Sequence, residues 1–184
     1  MQIDVSATER MLQRHVDLSL FGKGKAKSLA DLLEEVANGE TTLSEENGRI
    51  VRRISVITIN VFVDLNGDRY CLVEDRQIFD DGRERRRNLP SSLSEKIHQN
   101  EDVLTAVSRA LQEEIGVNEF TLLIPNPHKR IERNESPSFP GIFSEYTLHG
   151  VDVVISPSEY KEKYQEREKD LVTHFKWVRV KKEE

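Results

Sequence analysis

From Arg53 the hydrophobic pattern runs with a period of two: Ile57, Ile59, Val61 and Val63 alternate with Thr58, Asn60 and Phe62. Successive side chains of a strand point to opposite faces, so this stretch predicts a strand with two differently packed faces. Asp64-Leu65-Asn66-Gly67 follows it, and Asn-Gly tolerates the positive φ angles of a tight hairpin, making Tyr70 to Glu74 the returning strand. Asp80-Asp81-Gly82 predicts another turn, and strand signal returns in Phe120 to Ile124, Ile142 to Ile155 and His174 to Val180. The two middle segments are split by a loop containing Pro125, Pro127, Pro137 and Pro140, long enough to serve as a substrate lid.

Elsewhere the period is that of a helix. Ser6-Ala7-Thr8-Glu9 has the capping-box pattern, in which hydroxyl and carboxylate satisfy each other's exposed backbone donors. A second helix is predicted from Ser28 to Ala37, with Ser28 as cap, Leu29, Leu32, Leu33 and Val36 as its apolar positions, and Gly39 beyond its end. Residues 1 to 49 therefore read as a polar helical extension, and residues 50 to 184 as the main domain. Gly22-Lys23-Gly24-Lys25 lies between the two helices, but no strand precedes it and no Gly-Lys-Ser/Thr closes it, so it is not a phosphate loop. Ser158 to Lys169 is a charged helix candidate. Strands around one strong central helix, in mixed order, predict an α/β sandwich rather than a doubly wound sheet.

That central helix is expected from Glu101, with Asn100 as its cap and Gly116 at its end. At about 100° per residue, Val103, Ala106, Val107, Ala110 and Leu111 share one arc. Glu114 projects into the same arc, between Val103 and Val107, and Glu113 lies at its edge, one turn from Arg109. A lone carboxylate packed against a sheet is costly. Two adjacent carboxylates, one aimed inward, suit a hard divalent cation with oxygen ligands. The alternative is that Gln112-Glu113-Glu114 is the solvated end of a helix whose last turn rotates out of the core.

Composition narrows the classes. The chain has 184 residues, 36% hydrophobic and 33% charged, as a globular protein with a heavily solvated surface does. No apolar run approaches the roughly 20 residues that span a bilayer. The N-terminal Met1-Gln2-Ile3-Asp4-Val5-Ser6 lacks the pattern of a secretory signal, so the cytoplasm is the expected location. A formal charge of −6 argues against a global attraction to nucleic acid or anionic membrane. Cys71 is the only cysteine, which excludes intramolecular disulfides and multi-thiolate metal sites; its strand setting reads as structural.

The segment from Glu101 to Val117 resembles the box of the Nudix hydrolase family. That box reads glycine, five residues, glutamate, seven residues, Arg-Glu, an aliphatic residue, any residue, Glu-Glu, any residue, glycine, aliphatic. Here Glu101 precedes Arg109 by that spacing, and Ala110, Leu111, Gln112, Glu113, Glu114, Ile115, Gly116 and Val117 follow. Leu89-Pro90 resembles the family's entry segment and Phe175-Lys176-Trp177-Val178 its closing strand, so the match covers roughly residues 50 to 180. The resemblance implies a Nudix-type α/β/α sandwich with a mixed sheet. It also implies Mg²⁺ or Mn²⁺ on Glu113 and Glu114, oriented by Arg109 and Glu101, and a metal-activated water that cleaves a diphosphate linkage.

Two positions depart from the box. Glu95 stands where its opening glycine belongs, and Ala110 where the family supplies a further carboxylate. Glu95, charged and close to the box, is nominated as the replacement ligand, and Glu101 could also reach the metal. Arg85 and Arg87, in the dense cluster Arg83 to Arg87, and Arg130, with His128, Lys129 and Arg133 in the Pro-rich loop, are candidate phosphate-binding residues. A solvated strand edge is the competing reading of that cluster. Glu132, Glu135 and Glu145 are further candidate bases or ligands, while Phe139 and Tyr146 could stack on a base or simply pack, with packing the favoured reading. The expected substrate is a diphosphate-containing small molecule derived from a nucleotide, with a capped RNA end as the one nucleic-acid substrate, and a homodimer is compatible with the chain. The competing function is a catalytically impaired Nudix domain that senses a nucleotide ligand or binds a regulatory partner. A diphosphate isomerase of the same fold is a weaker third, since the strand around Cys71 does not match a catalytic cysteine setting.

Overall fold

The computed structural model describes residues 5–123 and 128–181. Among them the elements are α1 (Val5–His15), α2 (Leu29–Ala37), β1 (Thr42–Glu46), β2 (Arg49–Leu65), β3 (Asp68–Phe79), β4 (Glu84–Arg85), β5 (Leu93–Lys96), α3 (Val103–Ile115), β6 (Phe120–Leu122), β7 (His128–Glu135), β8 (Phe143–Ile155), β9 (Tyr164–Arg167) and β10 (Leu171–Arg179). The strand order is β6-β8-β2-β3-β10-β9, with β1 and β5 also pairing with β2, β4 with β3 and β7 with β8. The pairs β1–β2, β2–β3, β3–β10, β10–β9, β3–β4 and β6–β8 are antiparallel. β2 and β8 differ. Arg53 bonds Glu145 and Asn60 bonds Asp152, both at a separation of 92, and a constant offset means that these strands run parallel. The sheet is thus mixed and carries helices, the α/β class that the periodicities predict.

Contacts divide the chain into two units. The first comprises residues 1–56, 96–102 and 129–148. Its core is Leu12, Val16, Leu32, Ile50, Phe139 and Ile142, with the Phe21 and Phe139 rings 5.8 Å apart. Phe139 is packed, as expected. Ser28 caps α2 in a complete box with Asp31, and Gly39 leaves the helix at φ 73, both as predicted. Ser6 lies inside α1, because that helix already runs from Val5. Residues 42–46, in the stretch read as helical, form β1 along Arg49–Arg53, since the tight Asn47-Gly48 turn lets the chain fold back on itself. Arg52 is buried and bonds Glu35, whose carboxylate also takes Lys27 at 2.8 Å and Lys96 at 3.0 Å.

The second unit comprises residues 57–95, 103–128 and 149–184. Its core carries the alternating Ile57, Ile59, Val61 and Val63 with Leu72, Val153 and Ile155 from neighbouring strands, and Ala106, Val107, Ala110 and Leu111 of α3. The hairpin turns through Asn66 and Gly67, with φ of 53° and 84°. Cys71 is half-buried on β3, and burial pushes its thiol up.

Three further expectations change. Residues 158–169 form not a helix but a short 3-10 turn (Pro157–Glu159) and β9, because Pro157 opens a turn there and Tyr164 needs a buried face beside Phe175. Within the Pro-rich segment, His128–Glu135 is the exposed strand β7 and not loop, while Pro125 and Pro127 lie outside the described residues. α3 starts two residues late, at Val103, because Asn100 takes a left-handed conformation with φ 69 instead of capping. No helix among the described residues is long and apolar enough to cross a membrane.

Candidate functional site

Helix α3 aims the first carboxylate. Its buried arc, Ala106, Val107, Ala110 and Leu111, holds it on the sheet, and Gly116 at φ 66 ends it so that Val117 N–H reaches back to the Leu111 carbonyl. Glu114, one turn beyond Ala110, is therefore drawn half out of solvent with its own core-facing arc. β9 and the residue just beyond it supply two more. In the antiparallel register of β9 with β10, Glu166 stands opposite Thr173 and Tyr164 opposite Phe175, so the period of two places Tyr164, Glu166 and then Glu168 on one side. β5 supplies Glu95. Ser92 fixes the entry to that strand, since its hydroxyl accepts from Val61 N–H at 2.9 Å and donates to the Leu72 carbonyl at 2.5 Å.

Glu95, Glu114, Glu166 and Glu168 line one cavity of about 590 Å³, together with Glu74, Arg87, Thr173 and Phe175. Among the described residues, its charged lining is five glutamates and one arginine. Arg87 is already committed to Glu74, donating from Nε to Oε1 at 2.9 Å and also from its terminal nitrogen. The remaining carboxylates repel one another. Burial, and after it the charges of Glu166, Glu95, Glu168 and Glu113, push Glu114 up to about 8. Burial and the charges of Glu168 and Glu95 also raise Glu166. Glu114 therefore holds a proton at neutral pH unless a cation takes the proton's place. All the donors are hard oxygens, the set that Mg²⁺ and Mn²⁺ select. Among the described residues, no group of three or more His, Cys, Asp or Glu side chains stands in an arrangement that by itself holds a metal ion.

Of the residues expected in the site, Glu95, Glu114 and Arg87 meet in this cavity. Glu113 points outward, 56% exposed, and accepts from Arg109 at 3.3 Å. Ala110 is 1% exposed, filling core. Glu101 belongs to the first unit, where its carboxylate accepts from His98 N–H and it lines a different cavity with His98 and Arg53. Arg85 lies on β4, bonded to Gln77 and 5.3 Å over the Phe79 ring. Arg130 is an exposed residue of β7 paired with Glu132 at 2.7 Å. The other cluster arginines are paired close by, Arg83 with Asp81 and Arg86 with Glu84 and Asp75. Glu145 pairs with Arg53 and Arg133.

Sequence reasoning missed Glu74, Glu166 and Glu168. The last two were hidden in a charged run read as helical. The available signal was Tyr164-x-Glu166-x-Glu168, a period of two anchored by one aromatic residue.

No protein-family model matches the chain, and no curated protein matches it. Among solved structures, a Caenorhabditis elegans Ap4A hydrolase is similar at 13% identity and a TM-score of 0.36, covering 67% of this chain and 78% of that one. The NUDIX domain of Shewanella oneidensis NrtR, complexed with ADP ribose, is similar at 13% identity and a TM-score of 0.38, covering 68% of this chain and 71% of the other.

Proposed function

We propose that this chain is a Mg²⁺- or Mn²⁺-dependent hydrolase of the Nudix type, cleaving a diphosphate linkage in a nucleoside-diphosphate-linked or related compound. The observation that carries the reading is the convergence of Glu95, Glu114, Glu166 and Glu168 on one cavity, with Glu114 pushed up to about 8. Buried mutual repulsion of this kind costs stability, and a bound divalent cation relieves it. Mg²⁺ keeps several waters and takes only one or two carboxylates directly, so a preformed cage is not required. Glu114 and Glu95 are the proposed direct ligands, with Glu166 and Glu168 supplying the charge that the family places at the position of Ala110. The bound ion would supply water activation and neutralisation of diphosphate charge.

The chain's own groups have separate parts in this reading. Glu166, raised by burial and by the charges of Glu168 and Glu95 and facing the cavity, is the proposed acceptor of the proton that the attacking water releases. Arg87, held by Glu74 at the cavity wall, is the one lining cation among the described residues that can meet a phosphate oxygen. Phe175 and Leu93 form apolar wall that limits water. Glu113 and Arg109 act from outside the cavity, Glu113 through its charge on Glu114. The test is turnover of nucleotides, nucleotide sugars, dinucleotides and capped RNA with and without Mg²⁺ or Mn²⁺, in the native protein and in Glu114→Gln. Metal-dependent release of a phosphate-bearing product by the native protein alone is expected; no turnover by folded protein overturns the proposal.

One observation favours a second reading, a non-catalytic domain that senses a nucleotide ligand. Ala110 is packed as core where the family carries a carboxylate, and Glu113 is turned to Arg109. That reading expects a ligand to raise the melting temperature without being consumed, and loss of the ligand during incubation overturns it.

A further inference from the structure

The connection between β8 and β9 is tied down at both ends by bonds that the cavity residues do not use. Glu159, in the 3-10 turn, reaches the chain just after α3: its Oε1 accepts from Asn118 N–H at 3.0 Å and from Glu119 N–H at 3.1 Å. Ser156 N–H donates to the Glu119 carbonyl at 3.0 Å, so the same two segments meet a second time through the backbone. The backbone of Glu159 is held from the other side. Its carbonyl accepts from the Tyr164 hydroxyl at 2.6 Å, and that oxygen accepts in turn from Lys161 N–H at 3.3 Å. Tyr164 is 4% exposed and is the first residue of β9. Trp177 of β10 closes the knot, donating from its indole nitrogen to the Lys161 carbonyl at 2.9 Å.

One residue therefore joins the chain just after the helix that carries Glu114, through its carboxylate, to the start of the strand that carries Glu166, through its backbone carbonyl. Nothing else about residues 156–163 calls for a carboxylate at position 159, because exposed Asn118 and Glu119 amides are served equally well by water. A fixed acceptor does what water does not: it sets a distance.

We infer that Glu159 is a positioning residue, a staple that fixes the spacing between Glu114 on α3 and Glu166 on β9, with Glu168 just after that strand. This rests on the reading of the cavity as a cation site. The staple touches neither cation nor substrate and acts through the two elements it joins. Groups that orient metal ligands from outside commonly change metal affinity by about 10- to 100-fold when removed.

The test uses the full-length protein with Mn²⁺ alone as the probe, together with amide hydrogen exchange across 164–167. Glu159→Ala removes the acceptor and is expected to weaken Mn²⁺ binding about tenfold and to speed exchange in β9. Glu159→Gln keeps an oxygen in the same place and is expected to restore both. Tyr164→Phe, which cuts the second tie and keeps the ring, is expected to speed the same amides, and it serves if Glu159→Ala does not fold. Unchanged β9 exchange in Glu159→Ala and Tyr164→Phe overturns the staple whatever Mn²⁺ does. Faster exchange with unchanged Mn²⁺ affinity overturns its positioning role. Absence of Mn²⁺ binding by the native protein overturns the cation site, and the exchange data still decide whether the staple exists.

Discussion

Glu114 shows most directly how one residue reports on a whole site. Its carboxyl is raised from the ordinary 4.5 to about 8, first by burial and then by four neighbouring glutamates. The folded state thus binds a proton that the unfolded chain has released between those two values. The contribution of Glu114 to stability is full below about 4.5 and is lost as pH rises through about 8. Glu114→Gln cannot ionise, so its melting temperature should be flat across that window where the native protein's declines; parallel profiles would show that Glu114 is not strained. Ala110 makes a complementary prediction. Being 1% exposed, it leaves no room for a longer side chain, so Ala110→Glu should cost about 1–3 kcal/mol in a denaturant titration without metal, and Mn²⁺ should recover part of it. An unchanged midpoint would mean that the position opens to the cavity. The helical period alone located Glu114 as the anomaly, because a carboxylate among Val103, Val107 and Ala110 needs a reason. Glu166 was not legible in the same way, since its neighbours in the run are charged and its face is defined only by pairing with Thr173.

Among the elements, α2 and the β2–β3 hairpin follow the local chemistry of their sequence, whereas Ser6 and Asn100 do not cap as their residue types suggest, and elements that depend on a partner were not legible. Ser28 with Asp31 and Asn66 with Gly67 carry their own instructions, the first by exchanging hydrogen bonds with the backbone and the second by accepting positive φ. Ser28→Ala should therefore destabilise by about 1 kcal/mol, seen as a lower urea midpoint at unchanged slope. β7 and β9 are strands because neighbours pair with them, which no window of a polar sequence displays. α2 adds a second pH effect, opposite in sign to that of Glu114. Burial alone would raise Glu35, but hydrogen bonds from Lys27, Arg52 and Lys96 outweigh it and hold the carboxyl at about 2. Its contribution is present above about 4.5 and is lost as pH falls through about 2, on the order of 3 kcal/mol. Acid unfolding monitored by far-ultraviolet dichroism should show a steeper loss in the native protein than in Glu35→Gln, and coincident curves would remove Glu35 from the account.

At the scale of the molecule, the formal charge of −6 hides a local concentration, because the arginines that looked free in sequence are spent on nearby carboxylates while the cavity keeps its excess. A divalent cation that binds only the folded chain should raise its stability by about 2.7 kcal/mol at a hundredfold excess over the dissociation constant. Calorimetry with Mg²⁺ and Mn²⁺ checks this, with Glu114→Gln expected to lose the effect; an equal gain in both proteins would place the cation elsewhere. The mixed α/β class was legible from the alternation of periods, whereas the parallel contact of β2 with β8 was not, since it joins segments far apart in the chain. That contact also governs how the protein must fold. Partners separated by 92 positions meet only after a long loop has closed, and the entropy of that closure is lost before any long-range pairing returns it. The β2–β3 hairpin, closed by two residues, can form in microseconds, but β8 must wait for the intervening helix and strands. Refolding followed by stopped-flow fluorescence is accordingly expected on the millisecond-to-second scale of domains with non-local strand pairing, and a microsecond phase carrying the full amplitude would contradict it.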